Sequence, residues 1–224
     1  MTVEPRSIEE RFKVRFPKKE RWKPRYNIAP GQQVPIILQE SRDQLTFAGW
    51  GLVPSWAKEQ NFGFKTINAR AESIDEKATY KKPFRSQRCL IPADGFYEWK
   101  TTPNDKIPYR FTLKNEALFA FAGVYDLWKN PESGEQADSL LTFSIITVEP
   151  NAVVKPVHNR MPAILSRENE AAWLRNESAE RLKQMLAPYP AEQIKFYQVS
   201  RMVNSIKNDT TKLIEPVKSL SNFF

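Results

Sequence analysis

The sequence predicts an α+β fold, a single compact domain in which a largely antiparallel, barrel-like β-sheet carries flanking helices. Three observations predict it. Strand-like apolar runs crowd the middle of the chain without the alternating ten-residue helices that a doubly wound parallel sheet needs. Helical patterns occur only near the start and in the last third. A length of 224 residues with 41% hydrophobic content suffices for one sizeable core. No internal repeat divides the chain, so residues 1–224 are read as one domain.

Taken in order, Ser7 to Phe16 places Ile8, Phe12 and Phe16 at helical spacing. Ser7 is a candidate cap with Glu10 three positions later, which predicts a short amphipathic helix. Val34 to Gln39 and Gln44 to Trp50 are apolar-rich runs joined by Glu40 to Asp43, the pattern of a hairpin. Thr66 to Glu72 reads as a strand with Asn68 and Arg70 on one face, two residues apart. Further strands are predicted at Arg88 to Ile91, Phe96 to Trp99, Tyr109 to Leu113, Leu118 to Tyr125 and Leu140 to Thr147. Asn130 to Asp138 is polar, with Pro131 and Gly134, and reads as a surface loop. Helices return at Ser166 to Leu174 and Ala179 to Met185, and a last strand at Lys195 to Val199 precedes a polar end.

Composition narrows the function. Lys and Arg number 34 against 26 Asp and Glu, a formal charge of +8. Such a balance suits a polyanion partner or a plain solvated basic surface. No run of about 18 apolar residues appears and the first residues are charged, so a soluble, cytoplasmic protein without membrane contact is expected. The single cysteine, Cys89, forms no disulfide framework and no zinc spacing. No metal is expected. Only 7 glycines, none in a phosphate loop or nucleophile elbow, argue against a nucleotide cofactor.

The residues able to carry chemistry are few. His158 is the sole histidine, in the Arg-containing segment Val157-His158-Asn159-Arg160-Met161-Pro162. It is an acid/base candidate or a structural histidine. Glu98 sits between Tyr97 and Trp99 on a predicted strand, where alternation sends the two aromatics to the opposite face. A carboxylate there is either desolvated and raised in pKa or simply on a solvent face. Cys89 beside Arg88 admits a thiol nucleophile partnered by His158, but Leu90-Ile91-Pro92 makes a buried strand cysteine the better reading. Trp50 and Trp56 could stack bases beside Lys58 or pack in a core.

Six ordered blocks then acquire a joint meaning. They are Arg25-Tyr26-Asn27-Ile28-Ala29-Pro30-Gly31, Trp50 to Ala57, Ile67-Asn68-Ala69-Arg70-Ala71-Glu72, Arg88 to Trp99, His158 to Pro162, and Val199-Ser200-Arg201-Met202-Val203-Asn204. Together they resemble the SRAP family, the SOS-response-associated peptidase-like proteins that process abasic sites. The resemblance spans almost the whole chain. It implies an enzyme of DNA repair that binds single-stranded DNA and crosslinks covalently to an abasic site, with lyase and self-processing peptidase activity as further expectations; a monomer without a cofactor is the default expectation. It also implies that Asn68 positions the nucleophile and sugar, that Glu98 moves protons at an imine, and that His158 assists ring opening. Arg70, Arg160 and Trp56 are then candidates for contact with DNA.

One departure stands at the front. Family members begin Met-Cys-Gly-Arg-Phe, and the N-terminal cysteine closes a thiazolidine on the opened sugar. Here the chain begins Met1-Thr2-Val3-Glu4-Pro5-Arg6, and Thr2 has no thiol. The expectation is that Met1 is an internal methionine and that the first few family residues lie upstream. The alternative is a non-catalytic module that binds single-stranded nucleic acid.

Overall fold

The computed structural model describes residues 1–17, 22–115, 117–132 and 139–217. Most of the predicted surface loop, residues 133–138, and the polar end, 218–224, lie outside the described residues.

The first helix, α1, runs Pro5–Phe12, two residues ahead of the sequence expectation. Proline is suited to the first turn because its missing N–H has no helical partner there, so Glu4 rather than Ser7 is the cap residue. The helix stops at Lys13, whose left-handed backbone (φ 58°) ends the hydrogen-bond ladder. Phe16 is therefore not helical, yet its N–H donates to Glu9 at 2.9 Å and its ring meets Phe47.

Eleven strands are described in two sheets: β1 (Gln33–Leu38), β2 (Ser41–Trp50), β3 (Asn68–Arg70), β4 (Arg88–Ala93), β5 (Phe96–Thr102), β6 (Asp105–Leu113), β7 (Phe119–Lys129), β8 (Ser139–Val148), β9 (Met161–Pro162), β10 (Ile164–Leu165) and β11 (Ile194–Gln198). The predicted hairpin forms as β1 and β2, with Gln33 opposite Gly49, but its connection is only Gln39 and Glu40. The predicted strand at Thr66 to Glu72 shrinks to β3, because tight 3-10 turns occupy Gln60–Lys65 and Ala71–Ser73 on either side.

Strands β7, β4, β1, β2 and β8 pair in sequence, and β8 pairs back to β7, which closes a five-stranded barrel. Its pairings are antiparallel except β2 with β8; β3 adds to β8 in parallel. The barrel accounts for the long apolar runs: every residue of β4 is buried, and so are the first eight of β7. Gly123 is required at the crossing of these strands, since a Cβ there would lie 2.2 Å from Ile91 Cδ1 and 2.9 Å from Cys89 Sγ. The second sheet, in the order β11, β6, β5, holds the Phe96 to Trp99 segment on its edge.

The helices α2 (Ala78–Ser86), α3 (Arg167–Trp173) and α4 (Ala179–Gln184) flank the barrel. Ser166 caps α3 by accepting from the Asn169 N–H, as its spacing predicts. Helix α2 was not legible: its sequence is polar and contains Pro83, but Tyr80, Pro83 and Phe84 are buried. Arg88, wholly buried, ties α2 to α3 by donating to the carbonyls of Phe84, Arg85, Trp173 and Arg175. Those carbonyls lie at or beyond helix C-termini, where the backbone dipoles favour a cation.

Candidate active site

The site is assembled where the barrel rim meets the small sheet. Strand β5 follows β4 after the turn at Asp94 and Gly95, and pairs with β6 so that Glu98 lies opposite Tyr109. Alternation along β5 then sets the side chains. Tyr97 and Trp99 pack with the small cluster of Val199, Val203 and Leu213. Their polar ends are satisfied, Tyr97 Oη donating to the Tyr26 carbonyl at 2.8 Å and Trp99 Nε1 to Asn204 Oδ1 at 2.7 Å. Glu98 turns instead towards His158.

His158 lies between β8 and β9. Asn151 organises that connection by accepting from the N–H groups of Val153 and Val154, and the His158 N–H donates to the Val154 carbonyl. The imidazole Nδ1 stands 3.7 Å from Glu98 Oε1. Burial pushes the Glu98 carboxyl up to about 7, while the facing His158 pulls it back. A carboxyl titrating there can both give and take a proton near neutral pH.

Two hollows meet at this pair. One, of about 400 Å³, is lined by Glu98, Asn68, Trp50, Thr147, Met1 and apolar barrel residues such as Ile91 and Phe121. The other, of about 440 Å³, is lined by Glu98, His158, Trp99, Thr101, Lys106 and Asn204. Asn68 and Arg70 are exposed on one face of β3, whose register sets them beside Ile145 and Thr147 of β8. Asn68, Glu98 and His158 are thus brought to one place, with Arg70 on the adjoining rim.

Trp56 is elsewhere. It is 57% exposed and meets Phe62 edge-on at 5.3 Å, and it lines neither hollow. Trp50 lines the hollow of about 400 Å³, stacks on Phe143 and donates to the Ile67 carbonyl. The Arg160 guanidinium is engaged by Glu72 and by the Thr147 carbonyl. Cys89 is fully buried between β1 and β7, and burial pushes its thiol well up, so it has neither the access nor the thiolate of a nucleophile. Among the described residues no group of three His, Cys, Asp or Glu side chains could hold a metal ion.

Residues 1–206 match the family model described as SOS response associated peptidase (SRAP). The chain belongs to the SRAP family. Two SRAP relatives of Bacillus subtilis are each 47% identical to it. They are abasic site processing protein YoqW, with 86% of both chains covered, and abasic site processing protein YoaM, with 89% of this chain and 88% of the relative covered. Abasic site processing protein HMCES of Gallus gallus is 34% identical over 88% of this chain and 68% of its own. Among solved structures, a Bacteroides thetaiotaomicron protein superposes with a TM-score of 0.76 at 31% identity, covering 84% of this chain and 82% of that one.

Residues in and beside the SRAP blocks that local spacing does not single out also shape the site. Asn27 is 5% exposed, and its amide nitrogen lies within 3.1 Å of the carbonyls of Val203, Ser205 and Asn208. Asp209 accepts from the N–H groups of Tyr26 and Asn27 and from Arg25. Together they hold the 200–209 segment as a wall of the site. Asp94 binds the N-terminal residues: its carboxylate accepts from Thr2, faces the Met1 amine at 3.7 Å and pairs with Arg110 at 3.5 Å. Asn27 and Asp94 lie in two of the blocks and Asp209 lies in none, and a polar residue's partners 90 or more positions away cannot be read from local spacing.

Proposed function

We propose that this SRAP protein processes abasic sites in DNA, binding the damaged single strand and holding the opened sugar at Glu98, His158 and Asn68. The observation that carries the reading is the Glu98 and His158 pair, 3.7 Å apart, at the junction of two hollows that also reach Asn68 and Asn204. The names of the relatives point to the same damage. The basic balance of +8 suits a phosphate backbone. Arg70 supplies a cation on the rim, and Trp56 an exposed ring for an unstacked base. Arg160 reaches a phosphate only by leaving Glu72.

The chemistry follows from the groups present. His158 takes the anomeric hydroxyl proton as the C1′–O4′ bond breaks and returns a proton to O4′, so that the sugar hemiacetal opens to an aldehyde. An N-terminal α-amine, far less basic than lysine, adds to that aldehyde to give a carbinolamine. Neutral Glu98 gives its proton to the departing hydroxyl, which leaves as water, and the imine remains. In the thiazolidine step a vicinal thiol adds to the imine carbon and the nitrogen regains a proton. Without the thiol, loss of the α-proton from the imine and departure of the 3′ phosphate give strand cleavage, the lyase outcome. Self-processing by the same acid/base pair is the peptidase reading, and the cytoplasm is the expected compartment.

Neither Thr2 nor Cys89 supplies that thiol, since Thr2 has none and Cys89 is sealed in the barrel. Met1 lines the hollow of about 400 Å³, and burial lowers the pKa of its amine below the usual value. Residues joined ahead of Met1 therefore begin within the site. The test mixes this chain, and a version extended upstream with Met-Cys-Gly-Arg-Phe-Thr, with single-stranded DNA bearing one abasic site, followed by denaturing gels. A crosslink formed by the extended version is the expected result. Crosslinking by neither version, with DNA still bound, overturns the enzyme reading in favour of a non-catalytic single-strand binder.

A further inference from the structure

Arg160 comes two residues after His158, and its side chain is turned inward along the barrel rim. Its Nη1 donates to Glu72 Oε1 at 2.6 Å and its Nη2 to Glu72 Oε2 at 3.0 Å, a bidentate fork. Nη2 also donates to the Thr147 carbonyl at 2.6 Å. Glu72 lies just past β3 and Thr147 lies near the end of β8, so one guanidinium fastens the His158 connection to two neighbouring strands. The hydrogen bond from Arg160 holds the Glu72 carboxyl below the ordinary carboxylate range.

The main chain of the same residue holds the imidazole. Nδ1 lies 3.0 Å from the Arg160 carbonyl oxygen and 3.2 Å from the Arg160 amide nitrogen. A protonated Nδ1 donates to the carbonyl, and an unprotonated one accepts from the N–H. Arg160 therefore serves the ring in both protonation states, which is what a group passing protons needs from its support. With 40% of its side chain exposed, His158 has little packing to hold it otherwise. Displacing a reacting group by about 1 Å can cost about 100-fold in rate.

We infer that Glu72 is a positioning residue for His158, acting through the side chain and then the backbone of Arg160. The inference rests on the reading of His158 as the acid/base group at the abasic sugar. Glu72 itself touches neither hollow's reacting pair; it fixes where the imidazole points. A competing role is that Glu72 masks Arg160 until a DNA phosphate displaces it. The two roles differ in outcome, because removing a mask tightens DNA binding and leaves the imidazole where it was.

The chain has one histidine, so the 15N and 1H imidazole resonances of labelled protein report His158 alone. These are recorded for the wild type, Glu72→Gln and Glu72→Asp, with thermal melts to establish folding, alongside affinities for single-stranded DNA carrying a tetrahydrofuran abasic analogue. Positioning predicts that Glu72→Gln shifts and broadens the ring signals towards those of a free histidine, that Glu72→Asp recovers part of the change, and that affinity stays within about threefold. Should Glu72→Gln fail to fold, Arg160→Lys removes the fork while keeping the charge, and its ring signals alone are read in the same way. Ring signals identical to wild type in the folded variant overturn the inference, and tighter DNA binding alongside them assigns the masking role. Failure of the abasic-site reading appears separately, as no crosslink in either N-terminal form, while the response of the ring to Glu72 stands on its own.

Discussion

His158 Nδ1 lies 3.7 Å from Glu98 Oε1, although the two residues are sixty positions apart and belong to different parts of the fold. Glu98 is on the edge of the three-stranded sheet, and His158 is in the connection that leaves β8 of the barrel. The pair exists only where these two layers meet, and it sets a carboxyl raised by burial to about 7 against an imidazole.

Glu98 is expected to link stability to pH. Its folded-state value is raised from the usual carboxylate value of 4.5 to about 7, mainly by burial. Between those values the folded protein keeps a proton that the unfolded chain has released. Its contribution is therefore fully present below about 4.5 and lost as pH rises through about 7. Melting temperatures of the wild type should fall by several degrees relative to Glu98→Gln across this window, on the order of 2 kcal/mol. Parallel curves for the two proteins would show that Glu98 ionises as freely as in water.

His158→Ala should separate chemistry from binding. Loss of a positioned acid/base group slows proton transfer by about 10²- to 10⁴-fold. Crosslinking to abasic DNA by the Met-Cys-extended chain should fall within that range, with affinity for an abasic-analogue strand nearly unchanged. Equal losses in rate and affinity would make His158 a binding residue.

Arg70 is exposed on β3 beside Asn68, free to meet a backbone phosphate. Arg70→Ala should weaken binding uniformly across sequences and lower the slope of log affinity against log salt by about 1. Fluorescence anisotropy over a salt series checks this, and an unchanged slope removes Arg70 from the DNA path.

Arg88→Met is expected to be severely destabilising while leaving the site residues untouched. The guanidinium donates to four carbonyls, those of Phe84 and Trp173 in buried bonds and those of Arg85 and Arg175 in partly buried ones, and each buried acceptor left unpaired costs about 1–3 kcal/mol. Partial rescue by water lowers the sum, so a loss of about 3–5 kcal/mol is expected. Urea unfolding gives the value. A loss under about 1 kcal/mol would mean that α2 and α3 cap their own ends.

Local pattern determined a good deal of this protein. The strand runs, the β1 and β2 hairpin, the Ser166 cap and the burial of Cys89 follow from alternation, turn and capping chemistry within a few residues. Asn68 and Arg70 share a face because strand geometry makes residues two apart do so. Where local signals conflicted with packing, packing won, as α2 forms despite Pro83 because Tyr80 and Phe84 are buried; α1 begins at Pro5 instead because one local preference, proline in the first turn, outweighed the capping serine. The closure of the barrel, the meeting of Glu98 with His158, and the engagement of Arg160 by Glu72 were decided only by the tertiary structure. Each depends on chain segments 60 or more residues apart, the barrel through the pairing of β2 with β8, and hydrophobic periodicity specifies which face is buried without specifying which distant segment covers it. The raised carboxyl of Glu98 is of the same kind, because desolvation is a property of the assembled surroundings and not of the residue.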